Sequence, residues 1–255
     1  MEIGSLHGPC PAPVPGIGDW LASTSESERS RSVDAHKRSV DAAVAVGAGA
    51  VVVHLGNAGV ASRQPALFNV IAQYGRMSAE HLRLRDEAWQ ERQNRRGPHL
   101  EAAVKSIHEL GSHARGSGVR LGLEVRDGYH EIPSLDEIAD VLAACDGLPV
   151  GYWHDAGHGA KQEYLGIAEH EEFLRRYADR LVGMHIHDTR DGRDHQAPGM
   201  GDTDFRMLAR YLTDPTTIRT LELHRMVTAA EISRALDLLE PLGVFGIGEG
   251  ILVEL

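Results

Sequence analysis

The sequence predicts an α/β fold, a (β/α)8 TIM barrel, formed as one domain over residues 1–255. Its length is close to the roughly 250 residues that are typical of such a barrel. Short apolar, β-branched segments alternate with segments of helical periodicity, a pattern that indicates parallel strands joined by crossover helices. Several of the apolar segments also end in Glu, Asp or His. A doubly wound open sheet is the alternative architecture.

Six apolar segments are predicted as strands, and a seventh strand is predicted around Val244 to Ile247. The six are Met1 to Leu6, Ala50 to Leu55, Val119 to Val125, Val150 to Trp153, Leu181 to Ile186 and Ile218 to Leu223. An eight-stranded barrel therefore lacks one strand. Because the chain opens directly on a strand, we expect the first strand to be degenerate or to lie before Met1.

Six segments between the strands carry apolar residues at helical spacing, and Ser134, Thr203 and Thr228 are plausible N-caps. The predicted helices are Ser30 to Val46, Leu100 to Ser117, Ser134 to Ala144, Ile167 to Tyr177, Phe205 to Leu212 and Thr228 to Leu239. The stretch from Pro9 to Ser32 is predicted to be a loop with a short helix.

The connection from Gly56 to about Pro98 is much longer than the two to six residues usual for a βα loop. It is rich in arginine, with Arg63, Arg76, Arg83, Arg85, Arg92, Arg95 and Arg96. We expect this insertion, residues 56–98, either to lie over the barrel mouth, which favours an anionic substrate, or to form a solvated helix.

Composition excludes several functional classes. No apolar run approaches the roughly 18 residues of a membrane span, and no leader-like segment opens the chain. Two cysteines, Cys10 and Cys145, are too few for a disulfide framework, so a cytoplasmic location is predicted. The net charge of −11 disfavours nucleic acid as a partner. The oligomeric state stays open, with a homo-oligomer among the options.

The residues at the strand ends suggest a metal site. In a βα barrel the carboxyl ends of the strands converge on one face. The candidates there are His7, His54, Glu124, Asp155, His185 and Glu222. Any one of them is explained by an ion pair or a buried histidine, but six at equivalent positions are not. A buried strand ends in charge only where something offsets the desolvation.

The mixture of carboxylate and imidazole donors favours Mn²⁺, Co²⁺ or Zn²⁺, whereas an all-oxygen set would favour Mg²⁺ or Ca²⁺. Asp155 and His158 flank Gly157 just past a predicted strand. A tight turn at Gly157 would direct both side chains into the mouth. Alternatively, Asp155 caps a helix.

Five motifs together resemble the xylose-isomerase-like barrel superfamily, which includes sugar and sugar-phosphate isomerases and epimerases as well as endonuclease-IV-type enzymes. They are Leu123-Glu124, Asp155-Ala156-Gly157-His158, Met184-His185-Ile186-His187-Asp188, Pro198-Gly199-Met200-Gly201-Asp202 and Leu221-Glu222. The resemblance implies one divalent metal ion bound by Glu124, Asp155, His185 and Glu222, with His158 hydrogen-bonding the sugar.

The predicted function is a divalent-metal-dependent isomerase or epimerase of a sugar, sugar phosphate or related polyol. Proton transfer would pass through a metal-stabilised enediolate, with Glu124 and Glu222 as the acid/base pair. Arg190 and Arg193 are candidates for binding a substrate hydroxyl or phosphate, or are exposed loop arginines. A small carbohydrate is the expected partner.

The alternative is an endonuclease-IV-type zinc phosphodiesterase acting on abasic DNA. Such enzymes hold three zinc ions, and His7, His54 and His195 stand where their extra ligands would be. The sequence departs from their Asp-x-His motif, because Asp194 directly precedes His195. These three histidines are therefore predicted to bind substrate around one metal ion. A sugar-binding barrel without catalysis is the third hypothesis.

Overall fold

The computed structural model describes residues 3–9, 15–245 and 252–254 of the chain. The chain divides into two compact units, Met1–Tyr152 and Trp153–Leu255. The single-domain organisation and the placement of the 56–98 insertion stay predictions. None of the helices in the described residues is long and apolar enough to cross a membrane.

The first unit alternates strands and helices. Its strands are β1 (Ser5–His7), β2 (Ala50–Val53), β3 (Gly56–Asn57), β4 (Arg120–Glu124), β5 (Glu131–Ile132) and β6 (Val150–Asp155), the last continuing into the second unit. Its helices are α1 (Glu26–Val46), α2 (Gln64–Tyr74), α3 (Ala79–Ala114) and α4 (Leu135–Ala144). Four strands pair in parallel in the order β1-β2-β4-β6, while β3 and β5 form a short antiparallel ribbon.

The second unit continues the same alternation. Its strands are β7 (Leu181–Ile186), β8 (Asp188–Arg190), β9 (Arg193–Gln196), β10 (Ile218–Glu222) and β11 (Leu252–Glu254). Its helices are α5 (Ala156–Tyr164), α6 (His170–Tyr177), α7 (Phe205–Ala209) and α8 (Ala229–Leu239). The parallel order is β6-β7-β10-β11, and β8 pairs with β9 as an antiparallel hairpin.

In both units the spatial order of the parallel strands follows their order along the chain. A doubly wound sheet reverses that order at its switch point, so this topology favours the barrel. All six predicted strands are confirmed, with shifts of a few residues at their ends. The seventh was misplaced: Val244 and Phe245 form a bend, residues 246 and 247 lie outside the described residues, and the strand is β11.

Local sequence explains where several helices begin. Ser134 and Glu137 form a capping box at the start of α4, and Thr228 and Glu231 form another at the start of α8. In both, the hydroxyl accepts a backbone N–H, and the glutamate accepts the N–H of the capping residue. The predicted starts of these two helices are confirmed to within one residue. Thr203, by contrast, does not cap α7, because Asp204 accepts the N–H of Met207.

Helix α3 departs most from the prediction, which began a helix at Leu100. It starts at Ala79 and passes through Pro98, although an interior proline costs about 3 kcal/mol. Tertiary packing on both sides compensates. Arg92 is fully buried against Glu137 of α4, with Nη1 and Oε1 2.8 Å apart, and Ile107 and Leu110 are buried beyond the proline. A local breaker is therefore overridden by contacts that the sequence pattern did not reveal.

Helix α5 was missed because it follows β6 with no connecting loop. The side chain of Asp155 accepts the backbone N–H of His158 at 2.6 Å, so Asp155 is the N-cap of α5. The tight turn expected at Gly157 is not formed, because this glycine lies inside the helix. Its role is close approach, since a Cβ atom there would collide with His187 and Asp194.

Buried imidazoles make the stability of the fold sensitive to acid. Burial lowers the pKa of His36 and of His170 to about 4, and holds the pKa of His154 well below 6.5. The unfolded chain binds protons at these residues near pH 6.5, whereas the folded chain does not. The stabilisation that these neutral imidazoles contribute to the free energy of unfolding should therefore be complete above pH 6.5. It should fall by about 1.4 kcal/mol per histidine for each pH unit between 6.5 and 4.

Urea unfolding between pH 7.5 and pH 5 measures this effect. His170→Gln should flatten the pH dependence by about one proton, whereas His108→Gln, at an exposed position of α3, should leave it unchanged. If the pH dependence of His170→Gln were as steep as that of the natural chain, His170 would not be buried in the neutral form.

Candidate functional site

In the second unit, three strands end in side chains that converge. Asp155 ends β6, His185 is the penultimate residue of β7, and Glu222 ends β10. The Nδ1 atom of His185 lies 3.4 Å from Asp155 Oδ2 and 3.1 Å from Glu222 Oε2. The side chains of Asp155 and His185 are 0% and 1% exposed, whereas that of Glu222 is 23% exposed. Asp155 and His185 are thus buried, whereas the Glu222 side chain beside them is partly exposed.

These distances fit a divalent cation. A single ring nitrogen faces two carboxylates, and one N–H satisfies only one of them well. Ligand atoms at about 2.1 Å from a tetrahedral ion lie roughly 3.4 Å from one another. The two measured separations are close to that value, and the donor set of one imidazole and two carboxylates suits Mn²⁺, Co²⁺ or Zn²⁺. Asp155, His185 and Glu222 could therefore bind one ion together.

His187 orients Asp155. Its Nδ1 accepts the backbone N–H of His195 at 2.7 Å, so a neutral ring carries its hydrogen on Nε2. That nitrogen lies 3.0 and 3.2 Å from the two carboxylate oxygens of Asp155. Burial by itself raises the pKa of Asp155, but His158 and His187 hold it well below its usual value. Asp155 is therefore an ionised carboxylate with a fixed direction.

A second hydrogen-bonded chain reaches Glu222 from α5. Lys161 Nζ lies 2.6 Å from Asp194 Oδ2, Asp194 Oδ1 lies 3.2 Å from His195 Nδ1, and His195 Nε2 lies 3.4 Å from Glu222 Oε1. Burial lowers the pKa of His195, but its bonds to Asp194 and Glu222 raise it to about 10. His195 lies in β9 with a φ of +56°, a left-handed conformation that is uncommon for a residue other than glycine.

Hydrogen bonds to Asp188 connect the Pro198–Asp202 motif to the β8–β9 hairpin of the site. Its two carboxylate oxygens accept four backbone N–H groups, from Thr189, Gly199, Gly201 and Thr203, at 2.7 to 3.0 Å. The buried carboxylate holds the loop after β9 against the hairpin. His224, also near a proposed ligand in sequence, is exposed.

The other candidates of this unit differ in exposure. His158 is buried, and its Nδ1 lies 3.7 Å from Asp155 Oδ1. Arg190 and Arg193 pair across the hairpin through their backbones, and both side chains are exposed. This exposure agrees with the interpretation of both residues as exposed loop arginines. A role in substrate binding stays a prediction.

In the first unit, His7, His54 and Glu124 come together at the ends of β1, β2 and β4. His54 Nε2 contacts Glu124 Oε2, and His7 Nε2 lies 3.9 Å from the same oxygen. A cavity of about 240 Å³ opens beside them. It is lined by His7, Gly8, Pro9, Gly18, Asp19, His36, His54 and Arg126.

Arg126 is a member of this cluster that the sequence reasoning missed. Its Nη1 lies 2.7 Å from His54 Nε2 and 3.6 Å from Glu124 Oε2, and its Nε donates to Glu131 at 2.8 Å. Burial together with the Arg126 cation lowers the pKa of His54 to about 3, so this imidazole is neutral. The available signal was its position two residues after Glu124, where the chain leaves β4.

Most arginines of the 56–98 segment form salt bridges with carboxylates of the first unit. Five of the seven form salt bridges: Arg63 with Glu91, Arg83 with Glu87, Arg85 with Asp86, and both Arg92 and Arg96 with Glu137. Since these carboxylates neutralise the guanidinium groups, the arginine content of this segment is a weaker argument for an anionic substrate than the sequence suggested.

A sequence model of the xylose isomerase-like TIM barrel family matches residues 7–242. The chain belongs to this family. Membership confirms the predicted fold class and the resemblance drawn from the five motifs. No curated protein sequence matches the chain significantly.

Solved structures share the fold at low sequence identity. The apo form of the 3-keto-D-glucoside 4-epimerase YcjR from E. coli has a TM-score of 0.63 and 18% identity over 94% of this chain and 79% of its own. D-psicose 3-epimerase from Clostridium cellulolyticum H10, with D-tagatose, has a TM-score of 0.62 and 13% identity over 94% and 78%. The IolI protein with a bound zinc atom has a TM-score of 0.60 and 14% identity over 95% and 75%. These likenesses establish the fold alone.

Proposed function

We propose that the protein is a divalent-metal-dependent isomerase or epimerase of a sugar, a sugar phosphate or a related polyol. The observation that carries the proposal is the convergence of Asp155 and Glu222 on His185 Nδ1, at separations typical of ligands to one ion. The sugar epimerases of the same fold support it. Mn²⁺, Co²⁺ and Zn²⁺ are the proposed cofactors.

Glu124 is proposed as the fourth ligand on the basis of the sequence alone, from its place at the end of β4 and the Leu-Glu motif. A bound divalent cation would polarise the substrate carbonyl and stabilise the negative charge that develops when the neighbouring C–H bond breaks. The side chains around the substrate would then have to move the proton and bind the substrate oxygens.

Glu222 is proposed as the base. Of the three converging side chains it alone is partly exposed, so it can meet a substrate while Asp155 and His185 stay buried. Its carboxylate would take the proton from the carbon beside the carbonyl, leaving the C–H electron pair on the substrate. Glu124, proposed from the sequence as the other member of the acid/base pair, would return a proton to the opposite face, which inverts that carbon.

His195 and His158 are proposed to bind substrate hydroxyl groups. His195 is half-buried beside Glu222 Oε1 and is held on its other side by Asp194. A cationic imidazole has two N–H groups, so Nε2 would donate to a substrate oxygen in place of Glu222 Oε1 while Nδ1 stays bonded to Asp194. Because Lys161 already neutralises Asp194, this pair is poorly suited to the third zinc ion of the phosphodiesterase alternative.

Hydrogen exchange into ketoses tests the proposal directly. The purified protein is incubated in D₂O with Mn²⁺ or Co²⁺ and a panel of free and phosphorylated ketoses, and the products are followed by NMR. We expect deuterium at the carbon beside the carbonyl together with a new epimer or aldose. Failure with every ketose, together with cleavage of abasic DNA in the presence of Zn²⁺, would favour the phosphodiesterase.

His187 offers a test of the metal site away from the proposed ligands. His187→Ala removes the donor that directs Asp155, so we expect divalent-cation affinity to fall by about 10- to 100-fold. Competition with a chromophoric chelator measures it. His224→Ala, at an exposed position beside the end of β10, is the matched control. Unchanged affinity in His187→Ala would contradict the orienting role.

The remaining predictions concern cell biology and assembly. A cytoplasmic location and a homo-oligomer stay predictions, and binding of nucleic acid remains disfavoured by the net charge of −11.

A further inference from the structure

The His7–His54–Glu124 cluster of the first unit has the composition of a cation site. The three residues place one donor atom each within 4.8 Å of one another. Two imidazoles and a carboxylate at that spacing suit a divalent first-row ion. What distinguishes this cluster is the guanidinium group of Arg126 within it.

Two neighbours compete for a single atom, His54 Nε2. Arg126 Nη1 lies 2.7 Å from it, and Glu124 Oε2 contacts it from another direction. In a neutral imidazole each ring nitrogen either donates through its hydrogen or accepts through one in-plane lone pair. Nε2 therefore donates to Glu124 or accepts from Arg126. Neither state leaves a lone pair on this nitrogen for a metal ion.

Charge excludes an ion from the same place. A Zn–N bond is about 2.1 Å long, so an ion on His54 Nε2 would lie no more than about 4.8 Å from Arg126 Nη1. Two cations that close repel each other strongly away from bulk water. Arg126 is also held in place, since its Nε donates to Glu131 Oε1 at 2.8 Å and their side chains are only 16% and 12% exposed.

We propose that the guanidinium group of Arg126 takes the place of a divalent cation in the His7–His54–Glu124 cluster. The natural chain then binds no divalent ion there, and removal of this one positive charge creates a new cation site. The inference does not depend on the reaction proposed above. It predicts that one residue decides how many ions the chain binds.

Zinc titration of the metal-free protein tests the proposal, with bound Zn²⁺ per chain measured by elemental mass spectrometry after desalting. Arg126→Gln keeps a hydrogen-bond donor near Glu131 but removes the charge. It should bind about one Zn²⁺ more than the natural chain. The gain should disappear in Arg126→Gln/His54→Ala. Arg38→Gln, the same change at an exposed position of α1, should show no gain.

A folded Arg126→Gln protein without the extra ion overturns the proposal, and so does a gain that survives His54→Ala. A second measurement avoids the Arg126 variant altogether. With Arg126 in place, His54→Ala should leave Zn²⁺ stoichiometry unchanged, and loss of one ion would overturn the proposal even if Arg126→Gln does not fold.

The readout also separates this inference from the proposed function. Both comparisons are differences between variants in bound Zn²⁺. They can be measured whether or not the natural chain binds an ion at Asp155, His185 and Glu222, and whether or not it turns over a ketose.

Discussion

Glu222→Gln is expected to lower kcat/KM on the active ketose by about 10²- to 10⁴-fold, the range contributed by general base catalysis. The substitution removes the proposed proton acceptor and the proposed ligand charge with almost no change in volume. Because the side chain is 23% exposed, the fold should be unaffected. The measurement is turnover together with deuterium exchange from D₂O, with circular dichroism as the check on folding.

Glu240→Gln is the matched control, the same chemical change at an exposed glutamate after α8. It should retain full activity. If Glu222→Gln also exchanged hydrogen at the rate of the natural chain, Glu222 would not be the base, and the proposed mechanism would be wrong.

Asp155→Asn is expected to abolish tight binding of the divalent cation. The loss should exceed the roughly 10- to 100-fold that follows removal of an outer hydrogen-bond partner, because Asp155 is proposed to be a charged ligand itself. The amide oxygen of Asn can still accept the N–H of His158, so α5 should keep its N-cap. Affinity is measured by chelator competition, and activity should be restored only at much higher metal concentration.

Asp204→Asn makes the same change at another helix start, since Asp204 accepts the N–H of Met207 at the beginning of α7. It should bind metal like the natural chain. Comparing the two variants separates loss of a ligand from loss of a capping carboxylate. Equal affinity in Asp155→Asn and Asp204→Asn would remove Asp155 from the metal site.

Element positions were largely predictable because they depend on local patterns. Fully buried strands such as β2 and β7 stand out as continuous apolar runs, and capping boxes mark the starts of α4 and α8. The failures have tertiary causes. The buried ion pair of Arg92 and Glu137 helps to stabilise α3 across Pro98. Helix α5 follows β6 directly, so no loop residues mark its start.

The candidate site was predictable in part for a similar reason. Parallel strands bring their carboxyl ends to one edge, so Asp155, His185 and Glu222 follow from strand position alone. The residues that orient them do not. His187 lies beyond the end of β7, and its role depends on accepting a backbone N–H from His195, eight residues away. Lys161 likewise carries no signature that separates it from surface cations, and the signal for Arg126 was only its position two residues after Glu124.

The sequence by itself determined the fold class, the family and the residue types that converge in the second unit. Periodicity and strand-end chemistry are local properties, and the chain displays them without its structure. Only the tertiary structure decided which cation faces which cluster. The charge of Arg126 acts on His54 from 72 residues away, and that of Lys161 acts on Asp194 from 33 residues away. Such pairings depend on side-chain direction and burial, which residue order does not specify.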